Sequence, residues 1–401
     1  MSARDVWITG IGLLTSLGDG GEHHSGLLRS GNARVSVDET SLAPYPVHGL
    51  AEIDFTSQIP KKSDLRQMEL WQRIGVYAAG LALSDGGLAH EAELLSQTHL
   101  IVAAGSGERD TAVDAKIMES VPSAAETEVL AKEILPTALR PTLFLAQLSN
   151  LLAGNISIVH NVTASSRTFM GEEMAGLTAI ENAYRRIAWG QGDVVLAGGA
   201  LNASREDLLL HYELSKSLWP HPYRPVWSRK TLGGGFIPGS AGAFLVLEAR
   251  EHAEARGRKP YARISHVATS CGPRRSGATI AALSDLFSAL PVPDGPLAVL
   301  SGASGAEPVT TEELAFLQGL EDRGHQVAIR AYGTHIGHTV EAHFPAGVAL
   351  AALALAAGEL FVPSDENWVE APFEGGPPSH IVVTGTGHWR GEGMALLERV
   401  D

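Results

Sequence analysis

A layered α/β fold is predicted by three features of this sequence. Short strand-like runs alternate with stretches of helical periodicity. The 44 glycines lie mostly inside apolar runs rather than in Gly/Ser tracts, which points to tight strand-to-helix turns and close packing. Of 401 residues 44% are apolar, enough to build one large or two medium globular units.

Taken in order, Asp5–Thr9 reads as a strand that enters a turn at Gly10–Gly12. Leu100–Ala104, Asp193–Ala197 and Ala243–Glu248 read as further strands, the first closed by Gly105–Gly107. Arg66–Leu83 and Glu173–Trp189 carry apolar residues at helical spacing. The chain turns polar over Glu251–Lys259 and re-enters a strand at Tyr261–Val267. That stretch is the natural joint between two halves, 1–250 and 251–401. Beyond it Leu297–Ser301 and Ile381–Thr384 read as strands, and Ala346–Leu360 as an Ala/Leu helix suited to burial.

Composition narrows the partners. A net charge of −15 argues against nucleic acid or an anionic membrane surface. No run reaches the roughly 20 apolar residues of a membrane span, and the N-terminus lacks the basic-then-apolar order of a secretory signal. The single cysteine, Cys271, excludes an intramolecular disulfide and fits a reducing cytoplasm. No cofactor and no metal is expected. Gly10-x-Gly12 has Thr15 where a dinucleotide turn has its third glycine. The Gly233–Gly242 loop lacks the Gly-Lys-Ser/Thr ending of a phosphate loop. His335, His338 and His343 have only Glu341 beside them as a further ligand, and Gly337 interrupts their helix.

The most informative stretch runs from Ile156 to Gly199. It resembles the strand, turn and buried helix that carry the nucleophilic cysteine of the β-ketoacyl-acyl-carrier-protein synthases. Laid on that pattern without a gap from Ile158 to Gly199, the cysteine position falls on Glu173. Val6–Gly18 is similar to the family's opening strand and loop, and Leu148–Asn155 to the segment before the nucleophile strand. Arg224–Pro225 with Gly235–Glu248 is similar to its Gly-rich loop and following strand, and Ile336–His338 to its second histidine motif. The resemblance implies a thiolase-like five-layer α-β-α-β-α fold of two similar halves. Pro46–His48, Gln58–Lys62, Arg140–Ala146 and Ser165–Glu173 resemble a subgroup that accompanies a dedicated carrier protein in very-long-chain fatty acid assembly for lipid A.

The resemblance also implies a decayed site. A condensing enzyme needs a low-pKa thiolate at a helix N-terminus, and two histidines to stabilise the oxyanion and enolate. Glu173 would stand at that N-terminus, where the dipole favours an anion. Acyl transfer from a thioester to a carboxylate gives a mixed anhydride, which lies uphill. The first histidine motif falls on Ser301–Pro308 with Ala303 at the histidine, and the family's lysine falls on Gly333. His338 alone is retained. Trp389, in Gly387–Glu392, falls at the gate, and Phe236 is assigned to the gate and tunnel wall. Read without the family, Glu172 and Glu173 are ordinary acids of a helix start.

The expectation is a non-condensing partner of an intact paralogous ketosynthase, acting as a chain-length factor does. Acyl carrier protein and its acyl chain would be further partners. Segments 137–148 and 167–171 are assigned to the contact with the partner, beside an apolar tunnel. The alternatives are a 3-oxoacyl synthase or malonyl-carrier-protein decarboxylase using His338, and a homodimeric acyl-binding scaffold.

Overall fold

The computed structural model describes residues 3–121, 127–139, 141–365 and 369–400; Arg140, assigned above to a partner-contact segment, lies outside them. The first half of the chain supplies β1 (Val6–Thr15), β2 (Gly18–Asp19), β3 (His99–Ala103), β4 (Ser166–Phe169), β5 (Val194–Leu201) and β6 (Ala241–Ala249). The second supplies β7 (Ala262–Ser270), β8 (Pro296–Ser301), β9 (Gln326–Ala331), β10 (His380–Thr386) and β11 (Glu392–Glu398). Hydrogen bonds connect them in the order β4-β3-β5-β6-β1-β7-β11-β10-β8-β9, with β2 beside β1. Read inward from each edge, both halves repeat one pattern. β4, β3 and β5 run parallel and are followed by antiparallel β6 and β1. β9, β8 and β10 run parallel and are followed by antiparallel β11 and β7. The halves join through Val6–Ile8 of β1 and Ala262–Ile264 of β7.

Helices complete five layers. On the outer face of the first half lie α1 (Leu70–Asp85) and α2 (Asn150–His160). Between the halves lies α3 (Glu172–Ala188), and α4 (Glu206–Leu214) flanks its N-terminal end. The outer face of the second half carries α5 (Ala278–Ser288) and α6 (Val309–Gly319). The other central helix is α7 (His343–Ala357), which packs on α3 and on strands of both halves.

Sequence explains each choice. Helix α1 starts in a capping box between Glu69 and Gln72, satisfying two N-terminal donors. Helix α3 is amphipathic, burying Ala175, Leu177, Ile180, Ala183 and Ile187. Helix α7 is apolar all round and buried through Leu355, as a helix sandwiched between two sheets must be. The helical stretch Val340–Ala357 is long and apolar enough to cross a membrane by composition alone, yet 89% of it is buried inside the protein.

Two expectations needed correction. Gly10–Gly12 is no turn: β1 continues to Thr15, with a bulge between Ile8 and Gly10. The glycines are there because α1 crosses β1 too closely for side chains. A Cβ on Gly12 would lie 1.9 Å from the Ala78 carbonyl oxygen, and one on Gly10 2.5 Å from that of Ala82. The sequence marks neither β2, β9 nor β11 as a strand, and it places β4 only through the family resemblance, as the strand before the nucleophile position.

Gly12→Ala must push α1 off the sheet, so it is expected to lower unfolding free energy by about 3 kcal/mol in urea titrations. A loss below about 0.5 kcal/mol would mean that the crossing is looser than described.

Candidate functional site

Strand β4 leads through Met170 and Gly171 into α3. Gly171 has φ +132° and Glu172 φ +51°, a left-handed conformation that a side-chain-bearing residue adopts at a cost on the order of 1 kcal/mol. This bend sets Glu173 in the first turn of α3, buried at the centre of the molecule.

Two rings meet its carboxylate. His338 follows Gly337 and is clamped by its backbone: its N–H donates to the Ile237 carbonyl at 2.8 Å, and its carbonyl accepts from Gly239 N–H at 3.0 Å. Its Nε2 lies 2.8 Å from Glu173 Oε1. His388 comes from the loop between β10 and β11 and brings Nδ1 against the same oxygen. A carboxylate only accepts, so both rings donate. The His388 loop is closed by Gly387 N–H donating to the Gly391 carbonyl at 2.8 Å. Arg274 ties it further, donating to the carbonyls of Gly387 and Gly391 and pairing with Glu392. Phe236 packs on both rings, with centroids 5.1 Å from His338 and 4.6 Å from His388.

Burial alone would push the Glu173 carboxyl up. The His388 charge and the bonds from His338 and His388 outweigh it and hold the carboxyl well below the usual range. Burial keeps His338 below the ordinary imidazole value, opposed by its bond to Glu173. Behind it His343 sits 4.4 Å from the His338 ring centroid. Its Nδ1 accepts from Thr339 N–H at 3.3 Å and its Nε2 donates to the Gly302 carbonyl at 3.2 Å. Burial holds this ring neutral, far below its usual pKa.

The structure therefore brings Glu173, His338 and Phe236 together. Ala303 is buried in the loop after β8, next to Gly302, and offers no donor. Trp389 does not enter the centre: it stacks on Tyr212 at 5.5 Å and stays 38% exposed, while its neighbour His388 turns inward. The sequence points to Trp389 in this loop and gives no signal for His388. A tight Gly387–Gly391 turn, with Gly391 at φ +89°, decides which side chain points in.

Beside Glu172 lies an open cavity of about 370 Å³, walled by Gly105–Gly107, Met170, Tyr212 and α4. Trp71, Ala200, Leu201 and Leu208 give it apolar wall as well. Glu172, Arg109, Arg205, Asp207, His211 and Glu341 all line it. The Glu341 carboxyl is buried with Oε2 unpartnered among the described residues, and burial raises its pKa to about 7.

Ligand atoms of His335, His338 and His343 form no metal-type cluster among the described residues. Instead, one donor atom each from Glu173, His338 and His388 lies within 4.8 Å of the others. Two imidazoles and a carboxylate are a zinc donor set, but here both ring N–H groups are already directed at Glu173.

The sequence profile of the N-terminal domain of β-ketoacyl synthases matches residues 3–253. The chain belongs to the β-ketoacyl synthase family. This family member is 28% identical to 3-oxoacyl-[acyl-carrier-protein] synthase 2 of Vibrio cholerae over 272 residues, 66% of this chain. The match spans 62% of the Vibrio protein. The ishigamide ketosynthase/chain length factor shares its fold, with TM-score 0.80 and 20% identity over 100% of both chains. So does a type II polyketide synthase acyl-carrier protein complex with its ketosynthase bound to the hexaketide, with TM-score 0.72 and 16% identity. That match covers 99% of this chain and 100% of the other. The fold is thus the thiolase-like one, and the family works in fatty acid and polyketide synthesis.

Glu173→Ala strands two buried N–H donors and is expected to destabilise this synthase homologue by about 3 kcal/mol in denaturant titrations. Glu173→Gln keeps an acceptor and should cost less than half as much; equal stability of all three proteins would mean that residue 173 does not face the rings. Glu341 supplies a pH test. The unfolded chain releases this proton near 4.5 and the folded chain near 7, so ionisation erodes the native state as pH rises through that window, on the order of 3 kcal/mol in full. Glu341→Gln should therefore be more stable than the parent at about pH 8 and equal to it at about pH 4. A constant difference would place the Glu341 carboxyl in water.

Proposed function

We propose that this chain is a non-condensing partner subunit, chain-length-factor-like, for an intact ketosynthase of very-long-chain fatty acid assembly in the cytoplasm. The observation that carries the reading is the ionised Glu173, buried where the resemblance carries the nucleophile, with both neighbouring imidazole donors spent on it.

Each step of condensation meets an obstacle there. Glu173 is a poor acyl acceptor, and its charge repels an incoming malonyl group. Oxyanion stabilisation needs donors aimed at an empty place that the carbonyl oxygen will enter, and His338 and His388 are aimed at Glu173 instead. Ala303 supplies nothing in their place. Decarboxylation alone meets the last two obstacles equally.

A partner role needs none of this chemistry. One matched structure is titled as a ketosynthase/chain length factor and another as an acyl-carrier protein with its ketosynthase, which supports both kinds of partner here. With a net charge of −15, docking of an acidic carrier protein falls mainly to the partner subunit. Each methylene that the assembly buries favours a longer product by about 0.8 kcal/mol, so side chains that this subunit places beside the partner's tunnel would set product length.

Co-expression with an intact ketosynthase encoded beside it should give a one-to-one complex in native mass spectrometry. All covalent acyl should sit on the ketosynthase, and Glu173→Cys should not make the chain condense by itself. An acyl adduct on this chain during turnover, or carbon dioxide release from malonyl-carrier protein by the chain alone, would overturn the reading.

A further inference from the structure

The cavity beside Glu172 is unbalanced in charge. Arg109 and Arg205 stand in its wall with Glu172, Asp207 and Glu341. Both arginines are engaged elsewhere: Arg109 grips Asp114 at 2.8 and 3.0 Å, and Arg205 holds Asp207 through Nε at 3.0 Å. Glu172 and Glu341 are left over. Glu172 is half-buried and has the charges of Arg390, His211 and His388 near it. Glu341 is 5% exposed, and its Oε2 has no partner among the described residues. Its Oε1 lies against Gly105 of the cavity wall, where a Cβ would come within 2.6 Å. The turn that delivers it, Val340–Ala342, sets Val340 at φ +43°, a left-handed conformation that a β-branched residue resists. Burial first, and then the charges of Glu173 and Glu172, push the Glu341 carboxyl up, against Arg205. After burial, the same three carboxylates push the Tyr212 phenol up, so it stays neutral beside them.

We propose that this cavity binds a small primary alkylammonium ion, its charged head on the Glu341 carboxylate and its alkyl body along Leu201, Leu208 and Trp71. Other classes of occupant fit less well. An anion would meet Glu172 and Glu341 with no unpaired guanidinium in the wall to answer them. A bare metal ion lacks ligands, since among the described residues neither acid belongs to a cluster of three donor atoms. A plain alkyl chain leaves the carboxyl without a partner, which costs most once it ionises. Water supplies a hydrogen bond but no charge. An ammonium head supplies both, and such heads also sit well against an indole face. A cavity of about 370 Å³ lies at the small end of the range for small-molecule sites and suits a chain of a few carbons.

The inference goes beyond the partner-subunit reading and does not rest on it. The test is calorimetric binding of hexylammonium, hexanol and hexanoate to the full-length chain. An alkylammonium stays charged at about pH 5 and about pH 8, since such groups titrate near 10. Glu341, with its pKa raised to about 7, is protonated at the lower pH and ionised at the higher. Glu172 and His211 also line the cavity, so the pH effect is assigned to Glu341 only if Glu341→Gln abolishes it. At about pH 8 hexylammonium should bind at least roughly tenfold more tightly than either control. That preference should shrink about tenfold at about pH 5, and Glu341→Gln should lose it at both. Leu208 is half-buried, so Leu208→Trp is tolerated; filling the cavity, it should weaken hexylammonium binding about tenfold. Equal affinity for the three compounds, no binding of hexylammonium, a preference that survives Glu341→Gln, or indifference to Leu208→Trp overturns the inference.

Discussion

A carboxylate held by two imidazole N–H groups at the foot of a central helix is the constraint on which the rest of this molecule turns. Taking such a charge out of water costs several kcal/mol unless donors replace the lost hydration. Here His338 and His388 supply charge-assisted bonds and α3 supplies its positive end. Each donor is in turn immobilised from behind, His338 by the 237–239 backbone and His388 by the loop that Arg274 ties down. The arrangement is complete in itself. Chemistry on a bound thioester would need those same donors free.

The wall of the cavity beside this centre is mixed: Trp71, Leu201 and Leu208 offer apolar surface, whereas the buried Glu341 carboxyl and the Arg205–Asp207 pair favour water beside them. Glu341 is kept in place by tight packing, since its backbone carbonyl lies where a Cβ on Gly176 would approach to 2.5 Å.

Much of the fold was legible because its central strands are continuous apolar runs flanked by glycine. β3, β5, β6, β8 and β10 are buried on both faces and announced themselves, as did α3 and α7 through period and composition. β4 (Ser-Arg-Thr-Phe) lies at an edge and is half exposed, so no hydrophobic pattern marks it. β9 begins with exposed Gln326, and β11 opens on Glu392, whose charge is absorbed by a distant arginine that the local sequence does not reveal. At the centre, Glu173 and His338 could be named from their motifs. His388 could not, because which side chain a glycine-bounded loop turns inward depends on backbone conformation and on Arg274, more than a hundred positions away. Glu341 stood out in the sequence only as a neighbour of the histidines, because nothing near it says that its carboxyl is buried.

The repeated strand order of the two halves carries a consequence for how such a protein can change. Each half contributes one central helix, and α3 and α7 begin against each other, Gly176 of one meeting Pro345 of the other. Two helix dipoles thus converge on a single interior point and create a standing positive potential there. Any anion will settle that potential, whether or not it is a nucleophile. A thiolate and a carboxylate would therefore be electrostatically interchangeable at that point, and the architecture around it would stand unaltered with either.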